Sequence, residues 1–336
     1  MAFPYFTGKR SERRADGWKD IPPPRYGAET RPEYYDADAD LVDAVNVALL
    51  MGKPLLLTGE PGTGKTQLAH RLAWELGFDT PLTFETKSNS AARDLFYTYN
   101  VLSRFYDAQC NKPGEDRGYI TYHALGLAIL LANSSATVED LLPDGFSHTG
   151  PRRSVVLIDE IDKAPRDFPN DILNEIEQMY FRIPELGNRS VSAEPEMSPV
   201  TVITSNSEKH LPDPFLRRCV YHHIRFPEPD RMRRIVANRL RHIPLRSGAS
   251  ADPDEAFLAD ATALFFDLRD EDGRISRKPA TAELIVWLQA MRELSGSPNP
   301  IAEDRECAVR TLGALVKSED LDAARQFVRQ WTPAQS

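Results

Sequence analysis

Apolar and polar positions follow two different spacings along the first two thirds of the chain. Apolar residues at helical spacing predict helices over residues 41–51, 65–76 and 170–179, the first capped by Asp40 and ended by Gly52. Short apolar runs predict five strands, at residues 54–57, 81–86, 155–159, 200–205 and 220–226. Strands that alternate with helices favour a parallel, doubly wound α/β sheet.

The spacing changes after the segment FPEPD at residues 226–230, because only helical patterns follow it. We therefore expect three parts: an N-terminal arm over residues 1–35, an α/β domain over 36–229 and a small all-helical domain over 230–336. The arm is polar and rich in Pro, Arg and Tyr, which is typical of a weakly ordered segment. The α/β domain carries an insertion at about residues 87–150, longer than a bare strand–helix connection requires.

Composition and charge indicate a soluble globular protein with an acidic net charge. Of the 336 residues, 41% are hydrophobic and 27% are charged, as in soluble globular proteins. The formal net charge of −9 argues against a surface that binds nucleic acid or anionic membrane throughout. No apolar run is long enough to span a bilayer, and the basic N-terminus lacks the apolar core of a secretory signal. We therefore expect a cytoplasmic protein without a membrane span.

The segment between the first predicted strand and the helix that follows it fits the pattern G-x-x-x-x-G-K-[ST]. Its residues are Gly59, Glu60, Pro61, Gly62, Thr63, Gly64, Lys65 and Thr66. Glycines let the backbone curl until its N–H groups face one anion, and the helix N-terminus adds partial positive charge. Lys65 then reaches the β- and γ-phosphates of a nucleotide, while the Thr66 hydroxyl is placed to bind Mg²⁺. The strand–loop–helix context is the one that this motif needs, so we expect a phosphate site here.

Polar residues end two further predicted strands, at the edge where ligands of open α/β sheets bind. Asp159 follows a buried run of four apolar residues and is expected to hold Mg²⁺, through water. Glu160 comes next and is placed to orient and deprotonate an attacking water. Asn206 ends another strand and is expected to contact that water or the γ-phosphate, a turn role being the alternative.

With these segments the chain resembles the AAA+ ATPases and, within them, the MoxR family, a dynein-related AAA ATPase subgroup. The resemblance covers roughly residues 35–295 and is carried by LLLTGEPGTGKTQLA, VVLIDEIDKA, FPNDILNEIE, VITSNSEKHLPDPFLRRC and RKPATAELIVWL. It implies the P-loop NTPase fold of the AAA+ proteins, with a parallel five-stranded sheet flanked by helices and a C-terminal helical lid. It also implies ATP and Mg²⁺ as ligands, and a homo-oligomeric ring, commonly a hexamer, with each nucleotide between neighbours.

The resemblance also assigns roles to cations that the motifs above do not explain. The arginine finger of the family matches Arg218, with Arg217 as the second candidate. A planar, permanently ionised guanidinium suits the charge that spreads over phosphate oxygens in the transition state. The lid residue that contacts nucleotide, sensor 2, matches Lys278 or its neighbour Arg277, with Lys278 favoured. The alternative for each is an ordinary surface cation.

Two further segments are open to more than one interpretation. The insertion contains an aromatic cluster at residues 96–106. It resembles the interrupted second helix of the MoxR family, which lies near the ring pore, where aromatic side chains are placed to grip a partner. Ordinary packing is the alternative. Residues 180–199 are predicted to form a hairpin before the strand that ends at Asn206.

The resemblance implies a MoxR-type hydrolase that converts ATP to ADP and phosphate with Mg²⁺. Its work would be the chaperone-like remodelling or activation of a partner protein, often one with a von Willebrand factor A domain. One alternative is a nucleic-acid-directed NTPase motor subunit of a restriction or defence system, which the acidic net charge disfavours. Another is a nucleotide-gated scaffold, which the presence of Glu160, Asn206 and Arg218 disfavours. The motifs suit ATP and GTP alike.

Overall fold

The computed structural model describes residues 31–111, 114–143, 145–207, 211–243, 245, 252–270 and 275–332. The described residues form two compact units, one over Tyr35–Phe226 and the other from Pro227 onward together with residues 31–34. Most of the predicted arm therefore lies outside the described residues. In the described ranges, no helix is long and apolar enough to cross a membrane.

The α/β unit is built on a sheet of five parallel strands in the order β2-β5-β8-β1-β9. This confirms the predicted fold. The strands in the described part of the chain are β1 (Leu55–Thr58), β2 (Leu82–Glu85), β3 (Tyr97–Tyr99), β4 (Ile120–Tyr122), β5 (Val155–Asp159), β6 (Tyr180–Ile183), β7 (Arg189–Ser192), β8 (Val200–Thr204) and β9 (Val220–His223). The strands outside the central sheet form two antiparallel pairs, β3 with β4 and β6 with β7.

Helices flank the sheet and make up the second unit. Those in the α/β unit are α1 (Ala39–Met51), α2 (Lys65–Glu75), α3 (Val101–Gln109), α4 (Ala124–Leu131), α5 (Ser135–Val138), α6 (Phe168–Asp171), α7 (Leu173–Gln178) and α8 (Asp213–Leu216). Those in the second unit are α9 (Pro229–Arg241), α10 (Glu255–Asp270), α11 (Thr281–Leu294), α12 (Pro300–Glu303), α13 (Arg305–Thr311) and α14 (Leu321–Gln330). They pack around the fully buried Trp287, whose indole N–H donates to Ala308 O.

Two predicted helices differ from those observed. The first helix is capped by Asp38, whose side chain accepts from Leu41 N at 2.8 Å, so the prediction of Asp40 as its cap was wrong. Its end at Gly52 is confirmed, since Gly52 has φ of 61°. The helix predicted over residues 170–179 is two short helices, α6 and α7. They meet at the buried Ile172, whose φ of −96° and ψ of −3° interrupt the regular helix. Apolar spacing alone does not reveal one non-helical residue.

The three inner strands of the central sheet, β5, β8 and β1, are buried on both faces, which explains their mostly apolar sequences. On one face, residues such as Leu57 and Leu157 pack against α1 and α2. On the other, residues such as Leu56 and Ile158 pack against α4, α6 and α7. Because side chains alternate along a strand, each strand supplies both layers. The sheet is therefore held rigidly, and the loops at its carboxyl edge start from fixed positions.

The predicted insertion packs on the predicted hairpin. The β6–β7 pair confirms a hairpin within residues 180–199. Phe96 stacks on Phe181 of that hairpin with ring centroids 5.4 Å apart, and Tyr97 donates to Glu185 at 2.7 Å. For these two aromatic residues the packing interpretation is therefore correct. Phe105 and Tyr106 on α3 differ, because they remain 62% and 67% exposed.

Within the insertion, Gly126 on α4 lies directly against the backbone of Phe96. A Cβ atom there would lie 2.1 Å from the carbonyl oxygen of Phe96. That carbonyl already accepts from His123 N at 2.8 Å, so it is not free to move away. Glycine is therefore required at this helical position by close backbone packing.

We expect Gly126→Ala to lower the free energy of unfolding by about 1–3 kcal/mol, the usual cost of overpacking a core. Chemical denaturation of the full chain measures it. Gly118→Ala is the matched control, since an added Cβ there meets nothing within 4 Å. Equal unfolding curves for the two variants would contradict this interpretation of Gly126.

Candidate nucleotide-binding site

The predicted phosphate loop lies at the carboxyl edge of the sheet, between β1 and α2. Gly59 has φ of 143°, and a Cβ on it would lie 2.4 Å from Ile224 O, just beyond β9. Gly64 has φ of 92°, and a Cβ on it would approach the Tyr35 ring at 3.0 Å. Both positions combine a left-handed backbone with close neighbours, so only glycine fits. The curled loop that the motif predicts is thus enforced by its surroundings.

Lys65 is drawn into the curl of this loop. Its side-chain ammonium donates to the backbone carbonyls of Gly59 at 2.8 Å and Glu60 at 2.9 Å. Burial lowers the pKa of Lys65, and the carboxylates of Asp162, Asp159 and Glu160 oppose that effect. The Lys65 ammonium is therefore suited to bind an anion such as a phosphate. Phosphate oxygens are charged acceptors and would form stronger hydrogen bonds than the neutral carbonyls of Gly59 and Glu60.

Thr66 and Asp159 come together as the sequence predicts. The Thr66 hydroxyl donates to both Asp159 carboxylate oxygens, at 3.0 and 3.2 Å. A hydroxyl and a carboxylate are oxygen ligands of the kind that Mg²⁺ prefers. Among the described residues, no group of three or more His, Cys, Asp or Glu side chains forms a metal cage. The Thr66 hydroxyl and the Asp159 carboxylate fit a Mg²⁺ ion that takes its other ligands from phosphates and water.

Glu160 and Asn206 also meet at this edge. Glu160 has φ of 55°, a left-handed conformation that is uncommon outside glycine and costs about 1 kcal/mol. The Asn206 amide donates to Glu160 Oε1 at 3.4 Å, and Lys163 contacts the other carboxylate oxygen. The two predicted polar residues are thus neighbours, with the Glu160 carboxylate part-exposed to the space beside the loop.

The structure adds two residues that the sequence analysis missed. The Thr204 hydroxyl contacts both Asp159 and the Glu160 backbone, and the Asp162 carboxylate accepts from Asn206 N at 3.1 Å. Both lie within two residues of predicted site residues. Their role was not visible in the sequence because it depends on which strands are neighbours and in what register. The available signal was a threonine at the end of a largely apolar strand, which Thr204 is.

Arg217 and Arg218 lie far from the phosphate loop. They follow α8 and precede β9, whose first residue, Val220, donates to Pro54 O just before β1. Because β1 and β9 are parallel, both arginines lie at the amino edge of the sheet, opposite Lys65. Both are exposed, and Arg218 forms an ion pair with Glu177 at 3.1 Å.

Arg277 and Lys278 belong to the helical unit. Both are exposed, in the loop before α11. That helix is capped by Glu283, whose carboxylate accepts from Ala280 N at 2.8 Å. The predicted position of these cations at a helix start is therefore correct to within a few residues, and their contact with nucleotide stays a prediction.

Comparison with known proteins places this geometry in a family. The family model described as "ATPase family associated with various cellular activities (AAA)" matches residues 55–228, from β1 to the segment before α9. The chain belongs to the AAA ATPase family. Its α/β unit is accordingly a nucleotide-binding domain, as the phosphate loop indicates. No curated protein matches the sequence.

Two solved structures align over most of the chain at low identity. One, described as "Structural Basis for Katanin Self-Assembly", has 14% identity and a TM-score of 0.41, covering 89% of this chain and 90% of its own. Another, described as "Crystal structure of FIGL-1 AAA domain in complex with ADP", has 17% identity and a TM-score of 0.40, covering 84% and 79%.

We expect Lys65→Ala to raise the dissociation constant for ATP about 10- to 100-fold, because a hydrogen bond to a charged group contributes about 1.5–3 kcal/mol. Isothermal calorimetry measures the constant. Lys53→Ala is the matched control, since Lys53 is exposed and lies before β1 at the opposite edge of the sheet. Unchanged ATP binding by a folded Lys65→Ala variant would contradict the assignment of the phosphate site.

Proposed function

We propose that this chain is a MoxR-type AAA+ ATPase that couples ATP binding and Mg²⁺-dependent hydrolysis to the chaperone-like remodelling or activation of a partner protein. One observation supports hydrolysis above all. The phosphate-loop lysine, the Asp159–Thr66 pair and the Glu160–Asn206 pair converge on one edge of the sheet. A scaffold that only binds nucleotide has no need of the last pair.

The chain's own groups divide the work of binding. The loop N–H groups and the Lys65 ammonium hold the β- and γ-phosphates, replacing the contacts that Lys65 makes to Gly59 and Glu60. Thr66 and Asp159 would hold Mg²⁺, which neutralises charge on the β- and γ-phosphates when it is bound. These contacts fix the nucleotide with its γ-phosphate toward Glu160.

Glu160 then acts on the attacking water. Its carboxylate removes a proton as the water oxygen bonds to the γ-phosphorus and the bond from that phosphorus to the bridging oxygen of ADP breaks. Asn206 holds Glu160 Oε1 from the neighbouring strand and offers its amide to the water or the γ-phosphate. Lys163, which contacts the other oxygen of Glu160, must give way for that oxygen to accept a proton.

The position of Arg218 supports a ring. An arginine at the amino edge of the sheet does not reach the phosphate loop at the carboxyl edge of the same unit. A neighbouring subunit can accept it instead, in the homo-oligomeric ring, commonly hexameric, that the MoxR resemblance implies. Arg217 is adjacent and exposed, and is the second candidate.

The insertion supports a protein client. One side of α3 is apolar and faces outward. Its residues are each between 62% and 82% exposed: Val101, Leu102, Phe105 and Tyr106. The half-buried positions on its other side, Ser103 and Asp107, are polar, and the Asp107 carboxylate accepts from the Tyr119 hydroxyl at 2.9 Å. A helix that turns its apolar side outward suits contact with a partner polypeptide, including the von Willebrand factor A domain proteins that the resemblance suggests.

We expect Glu160→Gln to bind ATP normally and to hydrolyse it about 10²-fold more slowly, the usual size of a general-base contribution. Glutamine keeps the shape and the contact with Asn206 but does not accept a proton. Steady-state phosphate release and calorimetry measure the two properties. Glu196→Gln, an exposed carboxylate before β8, is the control. Near-normal turnover by Glu160→Gln would mean that another group activates the water.

We expect Arg218→Ala to bind ATP with nearly unchanged affinity and to lose about 10³-fold in turnover, as removal of an arginine finger does. Mixing it with Lys65→Ala tests action between subunits. Neither variant hydrolyses alone, but mixed rings contain some sites that pair an intact phosphate loop with a neighbour's intact arginine.

Activity should therefore return in the mixture and should grow with total protein concentration as rings assemble. Co-assembled rings that stay inactive at every ratio would rule out finger action by Arg218 across subunits. Normal hydrolysis by Arg218→Ala alone would make Arg217 the candidate.

A further inference from the structure

One buried hydroxyl joins the two acidic residues of the site. Thr204, at the end of β8, is fully buried. Its Oγ1 lies 2.5 Å from Asp159 Oδ1 and 2.8 Å from the backbone nitrogen of Glu160. These residues are consecutive on β5 and just beyond it, so a single atom of the neighbouring strand contacts both.

The direction of each hydrogen bond follows from the chemistry of the partners. The backbone N–H of Glu160 can only donate, so Thr204 Oγ1 accepts from it. The single hydroxyl proton of Thr204 is then left for the carboxylate of Asp159, which can only accept when it is ionised. The orientation of the hydroxyl is thus fully determined, and no other arrangement of its proton satisfies both neighbours.

Each bond constrains a different property of the site. The bond to Glu160 N holds a residue whose φ of 55° departs from the preferred regions, and so sets where its carboxylate points. The bond to Asp159 Oδ1 orients the carboxylate that also accepts from Thr66. An outer residue that fixes the ligands and bases of a site usually changes metal affinity or activity by about 10- to 100-fold when it is removed.

We infer that Thr204 is a positioning residue that sets the direction of the Glu160 carboxylate and of the Asp159 carboxylate at once. This inference rests on the proposed function, because it assigns Thr204 to the hydrolytic step of the same site. Thr204 touches neither nucleotide nor water in this scheme. It acts only through the two acids.

The same strand supplies a matched control. Thr201 is 2% exposed and lies on the opposite face of β8 from Thr204, because three positions separate them. Within the described residues its hydroxyl has no hydrogen-bond partner. Replacing Thr201 by valine therefore removes a buried hydroxyl of the same type from the same strand without removing a contact.

The experiment compares Thr204→Val with Thr201→Val. Valine has nearly the shape of threonine but lacks the hydroxyl, so a loss specific to Thr204→Val reports on its hydrogen bonds. We expect Thr204→Val to lower kcat about 10- to 100-fold, with ATP affinity in the absence of Mg²⁺ unchanged. The strengthening of ATP binding by Mg²⁺, measured by calorimetry, should shrink in this variant. Thr201→Val should match the wild type in all three measurements.

A conservative pair separates the hydroxyl from the methyl group. Thr204→Ser and Thr204→Ala both lose the methyl group, but only serine keeps the hydroxyl. Serine should retain most of the turnover and alanine should not, which also covers the case in which Thr204→Val does not fold. Wild-type kcat and Mg²⁺ response in Thr204→Val, or equal losses in the serine and alanine variants, would overturn the inference.

Failure of the proposed function gives a different result. A wild-type chain that binds ATP but does not hydrolyse it would contradict the proposed function. The calorimetric comparison would still decide the inference, because the Mg²⁺-dependent part of ATP binding requires no turnover.

Discussion

The register of the parallel strands β5 and β8 is the constraint on which the site depends. Ile158 pairs with Ile203 in this register. The residues that follow them, Asp159 and Thr204, therefore have their side chains next to each other on the face covered by α2. Because side chains alternate, a slip of one residue would send Thr204 to the opposite face and break its contacts with both acids. The apolar residues that precede them fix the register by burial. The register that packs the apolar core therefore also aligns Asp159 with Thr204 in the site.

Much of this arrangement was accessible from the sequence, and the reasons differ by element. The strand β5 was predicted with its observed bounds, because a buried apolar run ends abruptly in acid. The phosphate loop was predicted because glycine spacing and its lysine report directly on a backbone shape. The cap of α1 and the break at Ile172 were not predicted correctly, because each depends on the local conformation of one residue. Thr204 and Asp162 were missed because their contacts cross between strand ends.

The insertion contains both buried and exposed aromatic residues. Phe96 and Tyr97 are buried against the β6–β7 hairpin, and Tyr97 donates to Glu185 at its turn. This anchoring leaves the exposed aromatic residues of α3 on a firmly held support. Leu102 and Tyr106 are 82% and 67% exposed, so each leaves apolar surface in water. The packing interpretation of the aromatic cluster is therefore correct for Phe96 and Tyr97, and contact of α3 with a client stays a prediction.

Arg218 is separated from the phosphate loop of its own chain and forms only a weak ion pair. Four residues of β1 lie between the two edges, a distance of about 13 Å at the usual rise of a strand. In the single chain Arg218 pairs with Glu177, and the two side chains are 44% and 55% exposed. Exposed ion pairs contribute about 0–1 kcal/mol, so Arg218 can separate from Glu177 at little cost in free energy. In the proposed ring, a neighbour's γ-phosphate would carry more charge in a less hydrated site and would outcompete a single exposed carboxylate for the guanidinium. In the proposed ring, the weak contact with Glu177 would therefore not prevent Arg218 from binding a neighbour's nucleotide.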